Sequence, residues 1–588
     1  MSMGSVKTFH KRSLLLVLFV IFLVAVALMG RIFYLMIPGA THFAKAAQDL
    51  HERERTIKAE RGKIYDRNGV VLADNMPVCT ISVIHNQITD AEQVIEVLCK
   101  ELSLSEAYVR KRVEKYSAIE TIKTNVEKEI ADVIRAYELD GVMVDEDYRR
   151  FYPYGSLASK VLGFTGSDNQ GILGLEVKYD FWLKGENGKI LTLATAHGVE
   201  IPDAAETMVT PLEGNSIKTS LDVVIQSYAE QIAMKVLEAK SAKSVSIIVM
   251  NPQNGELYAM VNVPEYDLNN PYELTEIYTT AYTEEELTSE KKTELLNQMW
   301  RNSCISDTYE PGSAFKIITA AAAFEHGVLK LEDKFHCPGY KIVADRRIRC
   351  HKTTGHGSQT FVEAIMNSCN PAFMEIGGRL GIESFYETFK VLGLFQKTGI
   401  DLPGESTSIM HRAENVGEVE LATISFGQSF QITPLQLMCA ASTIINGGTR
   451  ITPHFVTEIV NAAGDTIKTI ENDGEIGLIS KDTSEKMKLV LEKVVSEGTG
   501  SNAFVEGFEI GGKTATSEKL PRRSNKYIAS FLGFAPASNP QVIAMVIIDE
   551  PQGLYYGGTI AAPVMAEVFE VVLPYLGIEA KIIDSKEE

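Results

Sequence analysis

A chain of 588 residues is too long for one ordinary core and predicts about three or four domains. Its composition, 45% hydrophobic and 23% charged, is that of a globular protein, and a formal net charge of -20 argues against a nucleic-acid binder, which needs a basic face for phosphates. Seven scattered cysteines (Cys79, Cys99, Cys304, Cys337, Cys350, Cys369 and Cys439) are too few for a disulfide scaffold, and their odd number leaves at least one thiol free or committed to other chemistry.

In chain order, the first strong feature is the uncharged run from Leu14 to Gly30, with apolar character resuming after Arg31 through Ile37. That length spans a hydrocarbon core of ~30 Å as a helix, with Arg31 snorkelling to the interface. Lys7, Lys11 and Arg12 precede it, so the positive-inside rule keeps a tail of residues 1–12 in the cytoplasm, with a single transmembrane helix over 13–37 and everything after residue 38 outside. A cleaved signal peptide is the alternative; no small-x-small cleavage site follows the run.

From about 39 to 60 the chain is charged and helix-prone. RGKIYDRNGVVLADN then predicts a hairpin turning at Asn68-Gly69. Residues 88 to 140 carry Glu/Lys-rich amphipathic helical patterns, and the Gly/Tyr-rich stretch after Arg149 is turn-rich. A new regime starts near 216: a strand and long helix, then two strands joined around Asn254-Gly255. The chain ends with three strand-like runs, GFEIGGKTAT, YIASFLGFAPA and QVIAMVIIDEP. Strands at both ends with helices between predict an α+β domain whose sheet joins its termini.

Three motifs carry chemistry. Ser313-Ala-Phe-Lys316 follows Pro311-Gly312 and opens a helix, where unpaired backbone N–H groups favour developing negative charge. A spacing of three puts Lys316 within reach of the Ser313 hydroxyl, and a partly desolvated lysine is a base strong enough to activate it. Alone, S-x-x-K occurs by chance about twice in such a chain. Ser368-Cys369-Asn370 lies 55 residues later, and Lys513-Thr514-Ala515-Thr516 follows on a strand-like segment. This ordered set is that of penicillin-binding proteins and serine β-lactamases.

The chain resembles the class B penicillin-binding proteins almost end to end. RGKIYDRNG with LADN resembles the family's dimerisation or pedestal motif. Arg150, Tyr152-Pro153, Gly163, Gly171, Gly174-Leu-Glu176 and LKGENG resemble its next blocks, and YEPGSAFK, NSCNP, SFGQSFQITPLQL and INGG its transpeptidase domain. The resemblance implies a transmembrane helix, an elongated mixed pedestal over 38–215, and a β-lactamase-like transpeptidase domain, a sheet flanked by helices, over 216–588. It implies that Ser313 attacks the carbonyl between two terminal D-alanines of a peptidoglycan stem peptide, with Lys316 as base. Ser368 would relay a proton to the leaving D-Ala and Asn370 would bind the substrate backbone. Lys513 would supply positive potential, Thr514 would hold the terminal carboxylate, and the N–H groups of Ser313 and Thr516 would form the oxyanion hole. No cofactor is required for this chemistry. The implied partners are stem peptides on a lipid-linked precursor, β-lactams, and a membrane-embedded glycosyltransferase. A D,D-carboxypeptidase and a β-lactam-binding sensor or scaffold of the wall-synthesis complex are the alternatives.

Two departures stand out. Ala515 replaces the family's Gly, and its methyl would either be tolerated as small or crowd substrate and β-lactam side chains; Ser517-Glu518 replaces the usual Ala-Gln. In addition, His336, Cys337, Cys350, His351 and His356 cluster within twenty-one residues. Thiolates with imidazoles suit a structural zinc, with Cys337, Cys350 and His356 as ligands and Asp307 or His351 as a fourth. A Cys337–Cys350 disulfide is the competing reading.

Overall fold

The computed structural model describes residues 4–37, 52–117, 119–193, 207–280, 282–283, 285–471 and 474–581. In chain order these form helix α1 (Gly4–Met36), strands β1 (Glu52–Ile57), β2 (Ile64–Tyr65) and β3 (Val71–Val83), helices α2 (Ala91–Leu102) and α3 (Glu106–Val113), and strand β4 (Glu120–Val126). Helix α4 (Lys128–Ala136) and strands β5 (Val142–Phe151), β6 (Gly188–Leu193), β7 (Thr207–Val209) and β8 (Ser216–Thr219) follow. Then come α5 (Val223–Ala239), β9 (Ser244–Met250), β10 (Leu257–Val263), α6 (Lys316–Glu325), β11 (Lys334–Cys337), β12 (Tyr340–Val343), β13 (Arg346–Arg349) and β14 (Gly357–Thr360). The rest includes α7 (Phe361–Met366), α8 (Asn370–Val391), α9 (Pro434–Ile445), β15 (Val456–Val460), β16 (Thr466–Thr469), α10 (Lys481–Ser496), β17 (Gly511–Glu518), β18 (Tyr527–Ala535), β19 (Val542–Asp549) and α11 (Ala562–Tyr575).

Helix α1 starts at Gly4, so residues 4–12 of the tail are helical and continuous with the apolar run. At 33 residues it is longer than a bilayer core requires. The helix-prone reading of 39–60 fails where it is described: Glu52–Ile57 is strand β1, paired antiparallel with β6. Cross-strand pairing overrides the local helical preference of its Glu and Arg residues. Residues 38–51 lie outside the described residues.

The chain divides into two compact units. One comprises Met1–Ala59, Pro77–Arg149 and Glu186–Leu212. It holds the β1–β6–β7 sheet and a separate core in which α2, α3 and α4 bury Val94, Leu98, Val109 and Ile134 with Ile81 of β3 and Ile122 of β4. The other comprises Glu60–Met76, Arg150–Gly185 and Glu213–Glu588, so two segments on the pedestal side of residue 215 pack with the motif-bearing unit. A buried ion cluster joins these two segments to each other. Glu176, fully buried, accepts from Arg61 Nε (2.7 Å) and Arg150 Nε (2.7 Å), and Arg61 also donates to Asp180 (2.6 Å). Burial alone would raise the Glu176 carboxyl, but Arg150 and Arg61 outweigh it and hold it below its ordinary value.

The five-stranded antiparallel sheet of this second unit runs β10–β9–β19–β18–β17. It joins strands from both ends of the segment because β19 pairs with β9. The turn before β10 uses Gly255 at φ +85°. Along β19, Ile543, Met545 and Ile547 belong to one apolar cluster and Val542, Ala544, Val546 and Ile548 to another. Period-two alternation thus puts a core on each face, which is why these strands are continuously apolar. Helices α5 and α11 cover one face; α6 and α9 belong to the other core. Helix α6 (KIITAAAAFE) is apolar all round and buried from Lys316 to Phe324.

Glu176→Ala leaves two guanidinium groups buried beside an empty site. We expect a loss of about 3–5 kcal/mol in the stability of the second unit, measured as a lowered urea midpoint.

Candidate active site

Ser313 lies in a 3₁₀ turn, Gly312–Phe315, and Lys316 is the first residue of α6, so the serine sits just before the helix rather than inside it. The approach to the serine is fixed by backbone pairing. Tyr309 exchanges both bonds with Ile432 (3.0 and 3.1 Å), and the Gly312 N–H donates to Gly427 O (2.9 Å). Gly312 has φ +55° and Gly427 φ +86°; a methyl on Gly427 would strike the Gly312 backbone, and one on Gly312 would strike Ser517 Oγ. Glu310, almost buried, accepts from the Ser429 N–H (3.0 Å) and pairs with Arg522 (2.5 Å), which also donates to Glu518 O (2.6 Å).

The three motifs converge. Lys316 Nζ donates to Ser368 O (2.7 Å), Ser368 Oγ (3.1 Å) and Asn370 Oδ1 (2.8 Å). Lys513 Nζ, from edge strand β17, donates to the same Ser368 Oγ (3.0 Å) and to Thr514 O (3.2 Å). Both lysines are fully buried, and Ser368 stands between them in a left-handed turn (φ 51°) linking α7 to α8. Burial pushes Lys316 down to about 8, and it pushes Lys513 well below the ordinary lysine value, the Lys316 charge adding to the effect. Two ammonium groups on one hydroxyl repel, which disfavours both carrying their protons at once. Asn370 opens α8, with Pro371 next to it in a position that needs no N–H.

On β17, Thr514 Oγ1 approaches Thr499 Oγ1 (3.4 Å) and Thr516 Oγ1 accepts from the Gly557 N–H (2.9 Å). Lys513, Ala515 and Ser517 alternate with these two threonines, so they share the opposite face. Ala515 is 3% exposed and belongs to the apolar cluster on that face. Its methyl is buried on the same face of β17 from which Lys513 reaches Ser368.

Cys337, Cys350 and His356 come together, and the fourth member is Cys369. Their donor atoms all lie within 4.8 Å of one another. Neither fourth ligand named from the sequence takes that place. Asp307 pairs with Arg301, and His351 reaches Cys350 only from the rim (Nδ1 to Sγ 3.8 Å). Cys337 ends β11, Cys350 follows β13, and Cys369 caps α8 between Ser368 and Asn370. A hydrogen bond from Cys369 holds the Cys350 thiol down to about 2 and pushes Cys369 up in return, while burial lowers His356. The set therefore offers thiolate character and a neutral imidazole, as soft metals require. Sequence reasoning also missed the stacked pair Tyr527–Tyr555 (centroids 3.9 Å apart) with Tyr556 at 4.7 Å from Tyr555. Tyr527 pairs across the sheet with Glu518, and Gly557 binds Thr516, so these rings border the end of β17. Three tyrosines within thirty residues carry no spacing signal.

Because the Ala515 methyl is already buried in tight packing, Ala515→Gly is expected to leave the rate of Ser313 acylation by several penicillins within about twofold, while lowering thermal stability slightly. Stopped-flow acylation alongside thermal melting checks both halves.

Comparison with known proteins agrees with this geometry. Residues 245–570 match the penicillin binding protein transpeptidase domain family, and residues 56–219 the penicillin-binding protein dimerisation domain. The chain is 40% identical over 588 residues to stage V sporulation protein D of Bacillus subtilis (strain 168), covering 98% of this chain and 87% of that protein. It is 27% identical over 571 residues to the peptidoglycan D,D-transpeptidase FtsI of Escherichia coli (strain K12), covering 94% and 90%. A crystal structure of a peptidoglycan synthetase from Bifidobacterium adolescentis superposes with a TM-score of 0.71 at 22% identity, covering 90% of this chain and 98% of that one. With the transpeptidase family alone spanning more than half its length and the dimerisation family the segment before it, the chain belongs to the class B penicillin-binding proteins.

Proposed function

We propose that this protein is a peptidoglycan D,D-transpeptidase that cross-links stem peptides through an acyl-enzyme on Ser313. The observation that carries this reading is Ser368 Oγ held between two buried amines, 3.1 Å from Lys316 and 3.0 Å from Lys513. In this reading the free amine of Lys316 takes the Ser313 proton as the hydroxyl attacks the carbonyl joining two D-alanines. Ser368, bonded to both amines, passes a proton to the departing D-Ala. Lys513 and Thr514 hold the terminal carboxylate, Asn370 binds the substrate backbone, and the N–H groups of Ser313 and Thr516 receive the oxyanion. An amine of a second stem peptide then takes the acyl group. β-Lactams acylate the same serine, with the Tyr527–Tyr555–Tyr556 wall beside their side chains. Helix α1 anchors the chain in the membrane, and the flanking basic residues Lys7, Lys11 and Arg12 support a cytoplasmic N-terminus with the catalytic unit outside. A lipid-linked precursor and a membrane-embedded glycosyltransferase are its working partners. The 40% identity to a stage V sporulation protein, against 27% to FtsI, supports a role in sporulation.

Cys337, Cys350, His356 and Cys369 fit a structural zinc. In a tetrahedral Cys₃His site the donor atoms stand about 3–4 Å apart, and these four are already gathered within 4.8 Å, buried or half-buried. Bound zinc would supply only a cross-link; the residues themselves tie the arms of the β12–β13 hairpin to the residue between Ser368 and Asn370. Four converging donors favour this over a Cys337–Cys350 disulfide.

Labelling with a fluorescent penicillin should be abolished in Ser313→Ala. Incubation with lipid-linked precursor and a glycosyltransferase should give cross-linked dimers; product that is hydrolysed only would make the protein a carboxypeptidase. Acylation should rise with pH and level off above about 8, where Lys316 loses its proton; below that value the rate should fall about tenfold per unit. Elemental analysis of the purified chain should find one zinc per molecule, lost in Cys350→Ser together with several degrees of melting temperature. A metal-free protein with an unchanged melt would remove the zinc.

A further inference from the structure

The sheet face whose core includes α6 and α9 changes character along its length. At one end its cross-strand rows are apolar, as in Ile248, Met545 and Leu532. The next row on that face reads Asn262, Ser246, Ile547 and Ser530, and the one after it Ser244, Asp549, Ile528 and Ser517. Over these two rows the sheet is not packed. All of these residues but Ser530 line a cavity of about 1380 Å³ within the second unit, larger than the ~300–1,000 Å³ of ordinary small-molecule sites. Asn262 Nδ2 donates to Ser246 Oγ (2.9 Å), so the floor is a bonded polar surface where a core would be apolar. Tyr309, nine-tenths buried, also lines the cavity. Its hydroxyl lies within the influence of Ser530 on the floor yet has no hydrogen-bond partner among the described residues, a costly state unless something in the cavity meets it. The cavity shares a wall with the reaction centre. Glu310 and Ser517 line it, and a methyl on Gly312, the neighbour of Ser313, would strike Ser517 Oγ.

We propose that this cavity is a saccharide site, holding an uncharged N-acetylated sugar of the wall polymer through a contact separate from Ser313. The lining selects against a charged ligand. Its five basic and five acidic side chains balance, and the buried ones are already partnered. Glu310 pairs with Arg522, and Glu405 accepts from Thr398 Oγ1 (2.6 Å). The Lys160 amine donates to Asn262 O (2.8 Å), Asn262 Oδ1 (3.1 Å) and Pro264 O (2.8 Å), which occupies all three of its hydrogens. On the floor, Asp549 is held by Lys519 (2.8 Å). What is left over is neutral. Thr308 donates to Gln431 Oε1 (2.9 Å), leaving the Gln431 amide hydrogens, and among the described residues the hydroxyls of Ser244, Ser517 and Thr407 make no side-chain hydrogen bond. Hydroxyl groups both donate and accept, which is the pairing that ring hydroxyls and an acetamido group offer in return. Half-buried Tyr278 and exposed Ile277 add apolar surface for the C–H face of a ring. A stem peptide carries charged ends that this lining cannot pair, which is why the sugar portion of the polymer fits and the peptide portion does not. The transpeptidase reading supplies only the source of the sugar; the site itself rests on the cavity.

The test uses the full chain in detergent, with Ser313 saturated by penicillin, and soluble N-acetylglucosamine oligomers as probes, read by calorimetry and saturation-transfer NMR. The tetramer should bind with a Kd of about 1 mM or below. Binding seen only without penicillin would put the sugar in the catalytic cleft and overturn the proposal. Thr407→Val and Ser244→Ala remove hydroxyls and leave their neighbours in place. Each should weaken tetramer binding about threefold to tenfold, with penicillin labelling within about twofold of the unaltered protein. Ser244→Phe, which fills the floor, should abolish binding; if that variant fails to label, the two hydroxyl variants decide. No tetramer binding at about 10 mM, or an affinity unchanged in labelling-competent variants, overturns the proposal and leaves a cavity that holds water only. An N-acetylated D-alanyl dipeptide that displaces the tetramer at equal concentration assigns the cavity to peptide and overturns the saccharide class. A disaccharide that binds as tightly as the tetramer identifies the sugar of the lipid-linked precursor, and a tetramer tighter by about tenfold identifies the polymerised strand; both results support the site. Failure of the unaltered protein to label with penicillin would instead overturn the transpeptidase reading, and the sugar titration then runs on the unlabelled chain, so the two failures are distinguishable.

Discussion

The site depends on one constraint: two lysine amines, both without solvent, share the hydroxyl of Ser368. Removing a charged ammonium from water costs several kcal/mol unless the amine gives up its proton or finds oxygen partners. Lys316 has three such partners, in Ser368 O, Ser368 Oγ and Asn370 Oδ1, and Lys513 has Ser368 Oγ and Thr514 O. The rest of the second unit positions these groups. The apolar helix α6 buries Lys316 at its first turn, the edge position of β17 leaves Lys513 facing α6, and the left-handed turn at Ser368 aims its hydroxyl between them. The tight contact of Gly312 with Gly427 sets the serine itself. A base is produced here by the burial that builds the core.

Much of this was legible in the sequence because it is local or periodic. The Asn68-Gly69 hairpin, the turn at Asn254-Gly255 and the three C-terminal strands carry turn chemistry and apolar runs that few folds share. The catalytic motifs were legible for a different reason: each is a short word whose residues act together. What stayed hidden depends on distant partners. Glu52–Ile57 has a helical composition and becomes a strand only because β6 lies beside it. The Glu310–Arg522 pair spans 212 residues and has no local signature. Arg61 and Glu176 are 115 residues apart, and only their shared burial shows why residues 60–76 and 150–185 fold together. The direction of the Ala515 methyl followed from the strand's alternation, but only once Lys513 had been seen to reach Ser368.

Cys369 is the most instructive omission. Reading Ser368-Cys369-Asn370 for its serine and asparagine treats the middle residue as a spacer. In the structure its sulfur turns away from Lys316 chemistry toward Cys337, Cys350 and His356, and it caps the helix that begins with Asn370. The same three-residue word therefore has two functions on two sides: hydroxyl and amide toward the amines, sulfur toward the hairpin. Any displacement of the four-donor cluster is transmitted through a single peptide unit to Ser368 on one side and Asn370 on the other. Conversely, the hairpin cannot swing away from the cleft without drawing Cys337 and Cys350 from Cys369. The hairpin and Ser368 are thus held in one frame. That coupling accounts for a short exposed hairpin, with little core of its own, keeping a defined place next to a buried reaction centre.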